Sequence, residues 1–531
     1  MVISQSALVN EEVPLALLEY SRYRLTNAMQ IKIDIRLRAQ ETQFTTNVLI
    51  WHLSLLLDSM IEIQNILMEI SASFQARRKE TLSSRKTRLS MHSFQPLAIQ
   101  TSRGDDYFIE AFPFRSHSDE QSPPHVIAYR LGSAQVSAIT MFLNPFSDNA
   151  ESKDWEQVNL AQLRFPVGMT YADVTGNGFN DVIIIDEYGP SMDDLWMDGG
   201  RIIWLQNSGN SKTGNWRQRF IGRSPGMHRV KAGHFTTRDR IQVAGFPIII
   251  RAGDRNSPAP VVIFTAPESP EDDDQVWAKE VAPFIFRKSA ICEHICAVLK
   301  SVDGGLDKIL IAGREGITLI WYDEVVKTWM SKNIGSGGPQ SPGNPYWGSG
   351  CVALGKIGLD TSGFIGTIEA FHGNRVAVYV KDKNDHPGEI ANAKWTRHVL
   401  HEFGDLNARH EGYLHHVICA DIDGDGDDEL LVACMESNPP SLERTGFWCY
   451  KPVDIRAGKF SKFKLTDESA ARIAVANFRS SNLLDFATIS YSQVPGHFES
   501  PSPSVILHAS SLIAVSRLND EIELVERHLD V

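Results

Sequence analysis

The stretch YLHHVICADIDGDGDDELLVA, Tyr413 to Ala433, decides how the rest of the chain reads. It opens on a histidine pair, runs through apolar residues, turns on glycines set among acids, and becomes apolar again. That order is strand, tight turn, strand. The same order recurs in MTYADVTGNGFNDVIII from Met169, HRVKAGHFTTRDRIQVAGF from His228 and EHICAVLKSVDGGLDKILIAG from Glu293. It returns in CVALGKIGLDTSGFIGTIEAF from Cys351 and RIAVANFRSSNLLDFATIS from Arg472. Several units continue into a third strand with an aromatic residue: GGRIIWLQN, GITLIWYDE, NRVAVYVK and TGFWCYK. A fainter unit, YFIEAFPF followed by PPHVIAYRLG, comes earlier. About seven units of roughly 60 residues fit the blades of a propeller.

The expected fold is therefore all-β: a seven-bladed β-propeller with FG-GAP/VCBS-like repeats over residues 91–531. Stacked sandwiches would account for the strands but not for the recurrence of one turn type. Residues 1–90 read differently, as an extra N-terminal helical segment. NVLIWHLSLLLDSMIEIQNILMEIS, Asn47 to Ser71, has helical periodicity, but Asp58, Glu62 and Glu69 interrupt it. A membrane span needs about 20 apolar residues, so no membrane partner is expected.

The chain has 531 residues, 42% hydrophobic and 22% charged, the composition of an ordinary globular protein. Its formal net charge of −13 argues against a nucleic-acid partner, which needs a basic face. The six cysteines sit mostly in apolar runs and read as buried thiols. With no secretory signal, a reducing, cytoplasmic location is expected.

In DIDGDGDDE, oxygen ligands stand at Asp421, Asp423, Asp425 and Glu429, with glycines permitting the sharp turn. Alternating acids around glycine suit a structural Ca²⁺ or Mg²⁺. DVTGNGFND is an eroded copy that keeps Asp173, Asn177 and Asp181. At the other end of the innermost strands, aligning the repeats sets His228, His294 and His415 at one level, with His416 a residue further on. Three neutral histidines leaving an open position form the ligand set of zinc catalysis. Strand alternation favours His415 over His416. The strand between His415 and Asp421 spans about 20 Å, separating a catalytic end from a structural one. Tyr346, Trp347 and His372 fall on rim loops of the catalytic side, where aromatic faces suit a sugar ring.

The stretches EAFPFRSHS, NGFNDVIIIDEYGPSMDDLW, SPGMHRVKAGHF, PYWGSG, EAFHGN, HVICADIDGDGDDE, RTGFWCYK and ISYSQVPGHFESPSPS closely resemble fungal aldos-2-ulose dehydratase, from about Ser93 to Arg517. The resemblance implies a seven-bladed propeller, which that family combines with cupin domains and a lectin-like domain. It implies zinc in the propeller cleft, falling on His228, His294 and His415, and a second, structural metal. It also implies a small sugar substrate, 1,5-anhydro-D-fructose or glucosone, dehydrated by β-elimination. The elimination needs a base and an acid, for which His410, Glu411, Tyr171 and His416 are the candidates. A homodimer is a possible assembly. Two departures stand out. Val531 ends the sequence without cupin or lectin regions, so the isomerase step is not expected. Thr170 stands where the family typically has histidine. The alternative is a catalytically degenerate propeller that binds a carbohydrate or a protein.

Overall fold

Seven four-stranded antiparallel sheets follow one another along the chain. Blade 1 covers residues 106–163, blade 2 169–223, blade 3 227–281, blade 4 296–335, blade 5 351–402 and blade 6 414–466. Blade 7 is composite. Arg472–Ala476, Asp485–Ile489 and Ser504–Leu512 are completed by His92–Thr101, which pairs antiparallel with Ser504–Leu512 as the outermost strand. The all-β, seven-bladed expectation is thus met, whereas closure of the last blade by the first strand was not foreseen.

The computed structural model describes residues 92–101, 106–116, 122–130, 136–147, 154–254, 257–283, 296–299, 304–370, 373–382, 389–408, 410–435, 442–479, 484–490, 492–494, 497–499 and 504–512. The chain divides into two units, Met1–Leu89 and Ser90–Val531. The first, with the helical segment expected over residues 1–90, lies outside the described residues. Helix among the described residues amounts to two short 3₁₀ turns, Leu442–Arg444 and Ile455–Ala457, and no helix is long and apolar enough to cross a membrane.

Burial peaks one strand out from the axis and falls towards the rim. The second strands Asp181–Asp186, Gln242–Pro247, Glu429–Cys434 and Asp485–Ile489 are buried at every residue. Each blade is covered on both faces by its neighbours, so these strands read as continuous apolar runs and not as alternating ones. The outermost Ala278–Val281 is exposed throughout. Third-strand aromatics fasten one blade to the previous one. A Cβ at Gly222 in blade 2 would lie 2.0 Å from the ring of Phe264 in blade 3, and one at Gly335 in blade 4 would lie 2.1 Å from that of Tyr379 in blade 5. Glycine on the outermost strand leaves the hole that the next blade's aromatic fills. The Tyr379 hydroxyl then accepts from Gly337 N–H at 2.9 Å.

Candidate active site

The innermost strands of blades 1, 3 and 6 share an irregularity. The ladder skips Tyr107 between Asp106 and Phe108, His228 between Met227 and Arg229, and His415 between Leu414 and His416. Each skipped residue is the second of its strand. Each lies five residues before the strand-end pair: Phe112 with His125, Gly233 with Gln242, Ala420 with Glu429. A β-bulge re-aims a side chain and breaks the period of two. His228 is 5% exposed and His415 1%. The repeat-register expectation thus places both histidines at equivalent positions, while His294 lies outside the described residues.

His415 is oriented by blade 7. Its Nδ1 lies 2.5 Å from the carbonyl of Ala471. A carbonyl only accepts, so Nδ1 carries the proton and Nε2 keeps its lone pair, the tautomer that metal-ligating histidines show. His416 bonds two residues further along the same strand, where Ile473 N–H donates to its Nδ1 at 3.3 Å. Its proton therefore sits on Nε2. With the bulge, His416 and His415 both bond to the chain of blade 7, against simple alternation. Burial holds it well below the usual imidazole range, reinforced by Arg472, His415, Lys231 and Arg229. It stays neutral, as a hydrogen-bond donor through Nε2.

Four residues absent from the expected site complete this end of the axis. Tyr107 sets its ring 5.5 Å from that of His415, and its hydroxyl accepts from Arg229 Nη2 at 2.6 Å. Arg229 Nη1 donates to the carbonyl of His228 at 2.9 Å, linking the two histidines through Tyr107. The Arg472 guanidinium lies 4.1 Å over the Phe108 ring. Glu110 is half-buried, and desolvation raises its carboxyl above the ordinary range although Lys231 and Arg472 oppose that. Aligning YFIEAF with HRVKAG would have put Tyr107 beside His228 and Glu110 beside Lys231; the faintness of the first repeat hid this.

The other candidates scatter. Tyr171, one residue before the end of Met169–Ala172, stands four strand positions past the histidine level, about 13 Å away. Its ring packs 5.8 Å from Phe112, and burial with the Glu110 charge pushes its hydroxyl to about 12. The structure does not bring it to the histidines. Thr170 shares the level of Glu110 and Lys231. His410 is exposed, at φ +64° in a turn closed by its own N–H on Asn407 O at 2.9 Å. Glu411 is half-buried there, and its N–H donates to the Asn407 side chain at 3.0 Å. The turn leads directly into Leu414–Ala420, and Leu414 N–H bonds Gly373 O at 3.1 Å, which joins the blade 5 rim loop to this end. His372 on that loop lies outside the described residues. Tyr346 is buried in a hydrophobic cluster with blade 2 and blade 3 residues, and Trp347 lies 4.2 Å beneath the Arg314 guanidinium.

Past the end of the strand, ligand oxygens of Asp421, Asp423 and Glu429 gather within 4.8 Å of one another. Asp421 accepts from Asp425 N–H at 3.0 Å and Gly426 N–H at 2.9 Å. Gly424 and Gly426, at φ +73° and +96°, permit that turn. The Lys451 ammonium reaches into the cluster, bonding Asp423, Asp425 at 2.8 Å and Glu429 at 3.3 Å. Burial, then the Asp423 charge, raises Glu429 to about 8 against the pull of Lys451. In the eroded copy, Asp181 accepts from Val174 N–H at 3.0 Å and Asn207 N–H at 2.7 Å, and Asp173 from Asn177 and Gly178. Backbone donors occupy those oxygens.

The architecture and site define a seven-bladed propeller whose axial end is lined by buried histidines and fixed cations from blades 3, 6 and 7. Residues 199–382 match the family described as aldos-2-ulose dehydratase, β-propeller domain. Over 436 residues, 81% of the chain, the sequence is 49% identical to aldos-2-ulose dehydratase of Phanerodontia chrysosporium. The matched part is 47% of that protein, so the chain spans about half the length of this relative. The resemblance read from the sequence, confined to the propeller part, is thereby shown. Solved structures overlay loosely. An ancestral GH74 enzyme gives a TM-score of 0.41 at 11% identity, covering 78% of this chain and 47% of that one. Luciferin-regenerating enzyme gives 0.33 at 12%, covering 65% and 91%.

Proposed function

We propose that this chain is a zinc-dependent lyase that dehydrates a 2-keto sugar, 1,5-anhydro-D-fructose or glucosone, by β-elimination of water. The name of the 49%-identical relative supports the reaction class. The observation that carries the metal assignment is the Nδ1–H of His415 donating to Ala471 O, which leaves Nε2 as a ligand. His228, His294 and His415 would hold the zinc. Bound there, zinc supplies Lewis acidity that makes the C–H beside a ketone easier to remove.

The chain's own groups divide the remaining work. His416 offers Nε2–H to a substrate oxygen. Tyr171, held protonated, lies too deep to act at the histidine level. Among the four acid–base candidates, that leaves the imidazole of His410 or the carboxylate of Glu411, on the turn entering blade 6, to accept the substrate proton. Trp347 and His372 form the sugar-facing rim in this reading, whereas Tyr346 is taken up by its hydrophobic cluster. The acid-and-glycine turns belong to the FG-GAP class of repeat, and a Ca²⁺ or Mg²⁺ at Asp421, Asp423, Asp425 and Glu429 has to displace the Lys451 ammonium.

Thr170 favours a second reading, a degenerate propeller that binds sugar without turning it over. Incubating the purified chain with 1,5-anhydro-D-fructose, with and without a chelator, separates the two. A chelator-sensitive rise in ultraviolet enone absorbance is expected; no such rise leaves the binding reading. His415→Ala should reduce bound zinc from near one per chain to near zero by elemental analysis while far-ultraviolet dichroism keeps its β signature. Full zinc retention in that variant would overturn the assignment.

A further inference from the structure

Arg472 is the first residue of Arg472–Ala476, 4% exposed, and its buried Nε and Nη1 have no hydrogen-bond partner among the described residues. A buried guanidinium with idle donors is costly, and such a group calls for a bound ion or water. Its surroundings make the case stronger. Arg229, itself 5% exposed, repels it, and Lys231 acts with both on His416. The acid facing them is Glu110, which burial pushes towards its neutral form. Among the described residues, three cations and one carboxylate act on one another here, and Arg472 has no hydrogen-bonded carboxylate of its own to offset the cost of burying its charge. Lys231 and Thr170, at the same level, are half-buried, so water reaches this depth.

We propose that the axial channel binds a small inorganic oxyanion, of the sulfate or phosphate kind, on Arg472 and Lys231 with Arg229 behind them. The Nε–Nη2 edge of the planar Arg472 fork presents parallel N–H groups that match two oxygens of such an ion, the edge that Arg201 and Arg479 turn to their carboxylates. Stacking on Phe108 holds the fork's plane before the ion arrives. Arg229 is fixed by Tyr107 and the His228 carbonyl, and contributes charge at a set position. This site stands on its own geometry and does not require the zinc or the dehydration.

Sulfate, which leaves zinc in solution, is the probe. Melting temperature is followed as sodium sulfate replaces sodium chloride at constant ionic strength in the full chain, alongside Arg472→Met, Arg472→Lys and Lys231→Met. The parent is expected to show a saturable rise. Arg472→Met should melt no lower than the parent in chloride, because removing an unbalanced interior charge is neutral or stabilising, and should lose the sulfate response. Arg472→Lys keeps the charge without the fork and should need at least tenfold more sulfate; Lys231→Met should weaken binding partially. A linear, equal rise in parent and Arg472→Met would be general salting-out and would overturn the site. A saturable response to chloride of the same size would also sink it, because a halide has no use for the fork. If Arg472→Met does not fold, Arg472→Lys decides: a response unchanged from the parent refutes the proposal.

Discussion

At the start of Leu414–Ala420 the surrounding fixed charges are Arg229, Lys231 and Arg472; just past its end they are Asp421, Asp423, Asp425 and Glu429. One strand therefore carries opposite charge clusters at its two ends, and they differ in how far each is already balanced. In the acidic turn, the Lys451 ammonium from the third strand of the same blade bonds three of the four carboxylates. Burial lowers the basicity of Lys451, but those bonds and charges raise it overall. At the axial end, among the described residues, one carboxylate whose proton affinity burial raises faces three cations. The more conspicuous cluster in the sequence is thus the more self-sufficient one, and counting like charges does not by itself locate a ligand.

Acid unfolding sets the baseline for comparing the ends, and it carries the largest expected effect. His125 and His508 are buried, and burial lowers each to about 4. The unfolded chain gains these protons near pH 6.5 and the folded chain only near 4. Stability is therefore intact above pH 6.5 and lost as pH falls through that window, by about 2 kcal/mol per histidine at pH 5. Urea unfolding at pH 7 and pH 5 should show this slope flattened in His125→Gln/His508→Gln. An unchanged slope would assign the acid sensitivity to one of the two ends.

Lys451→Met attacks the comparison directly. With a chelator present the variant should lose about 3 kcal/mol, the scale of an acid pair stripped of its cation, and millimolar Ca²⁺ should restore most of it. A variant as stable as the parent in chelator would mean that Lys451 does not balance the turn. Tyr107→Phe removes the acceptor of Arg229 Nη2 at the other end, and urea midpoints should register about 1–2 kcal/mol. Asp425→Asn should matter least. That side chain is 36% exposed and is one of three on Lys451, so a change within about 0.5 kcal/mol is expected; a larger loss would make Asp425 the principal partner.

The blade count and the inner-strand positions were legible because glycine-acid turns and apolar runs are local signals. Residues Met169, Cys351 and Arg472 open repeats in the sequence and open innermost strands in the structure. The levels of His228 and His415 were legible for the same reason. What escaped was non-local. Bulges at Tyr107, His228 and His415 depend on pairing with the next strand, and they cancel the alternation that set His416 apart from His415. Lys451 is far along the chain from Asp423 and meets it only through the antiparallel ladder. The depth of Tyr171 was equally illegible, because four candidates on different loops and strands give no level until the ladder sets Tyr171 opposite Val182. Arg472 gave no motif at all; its significance lies in what fails to meet it.

The pairing of His92–Thr101 with Ser504–Leu512 makes the circle depend on a meeting between one of the earliest-made described segments and one of the last. During synthesis, six blades can form in order while the edge strand His92–Thr101 waits for the three late strands of the seventh. Such a distant partnership slows the final step and leaves an open strand edge exposed in the interval. Once made, it works as a clasp: cutting the backbone between blades leaves the array held at another point, whereas losing residues 92–101 would leave Ser504–Leu512 unpaired on one side.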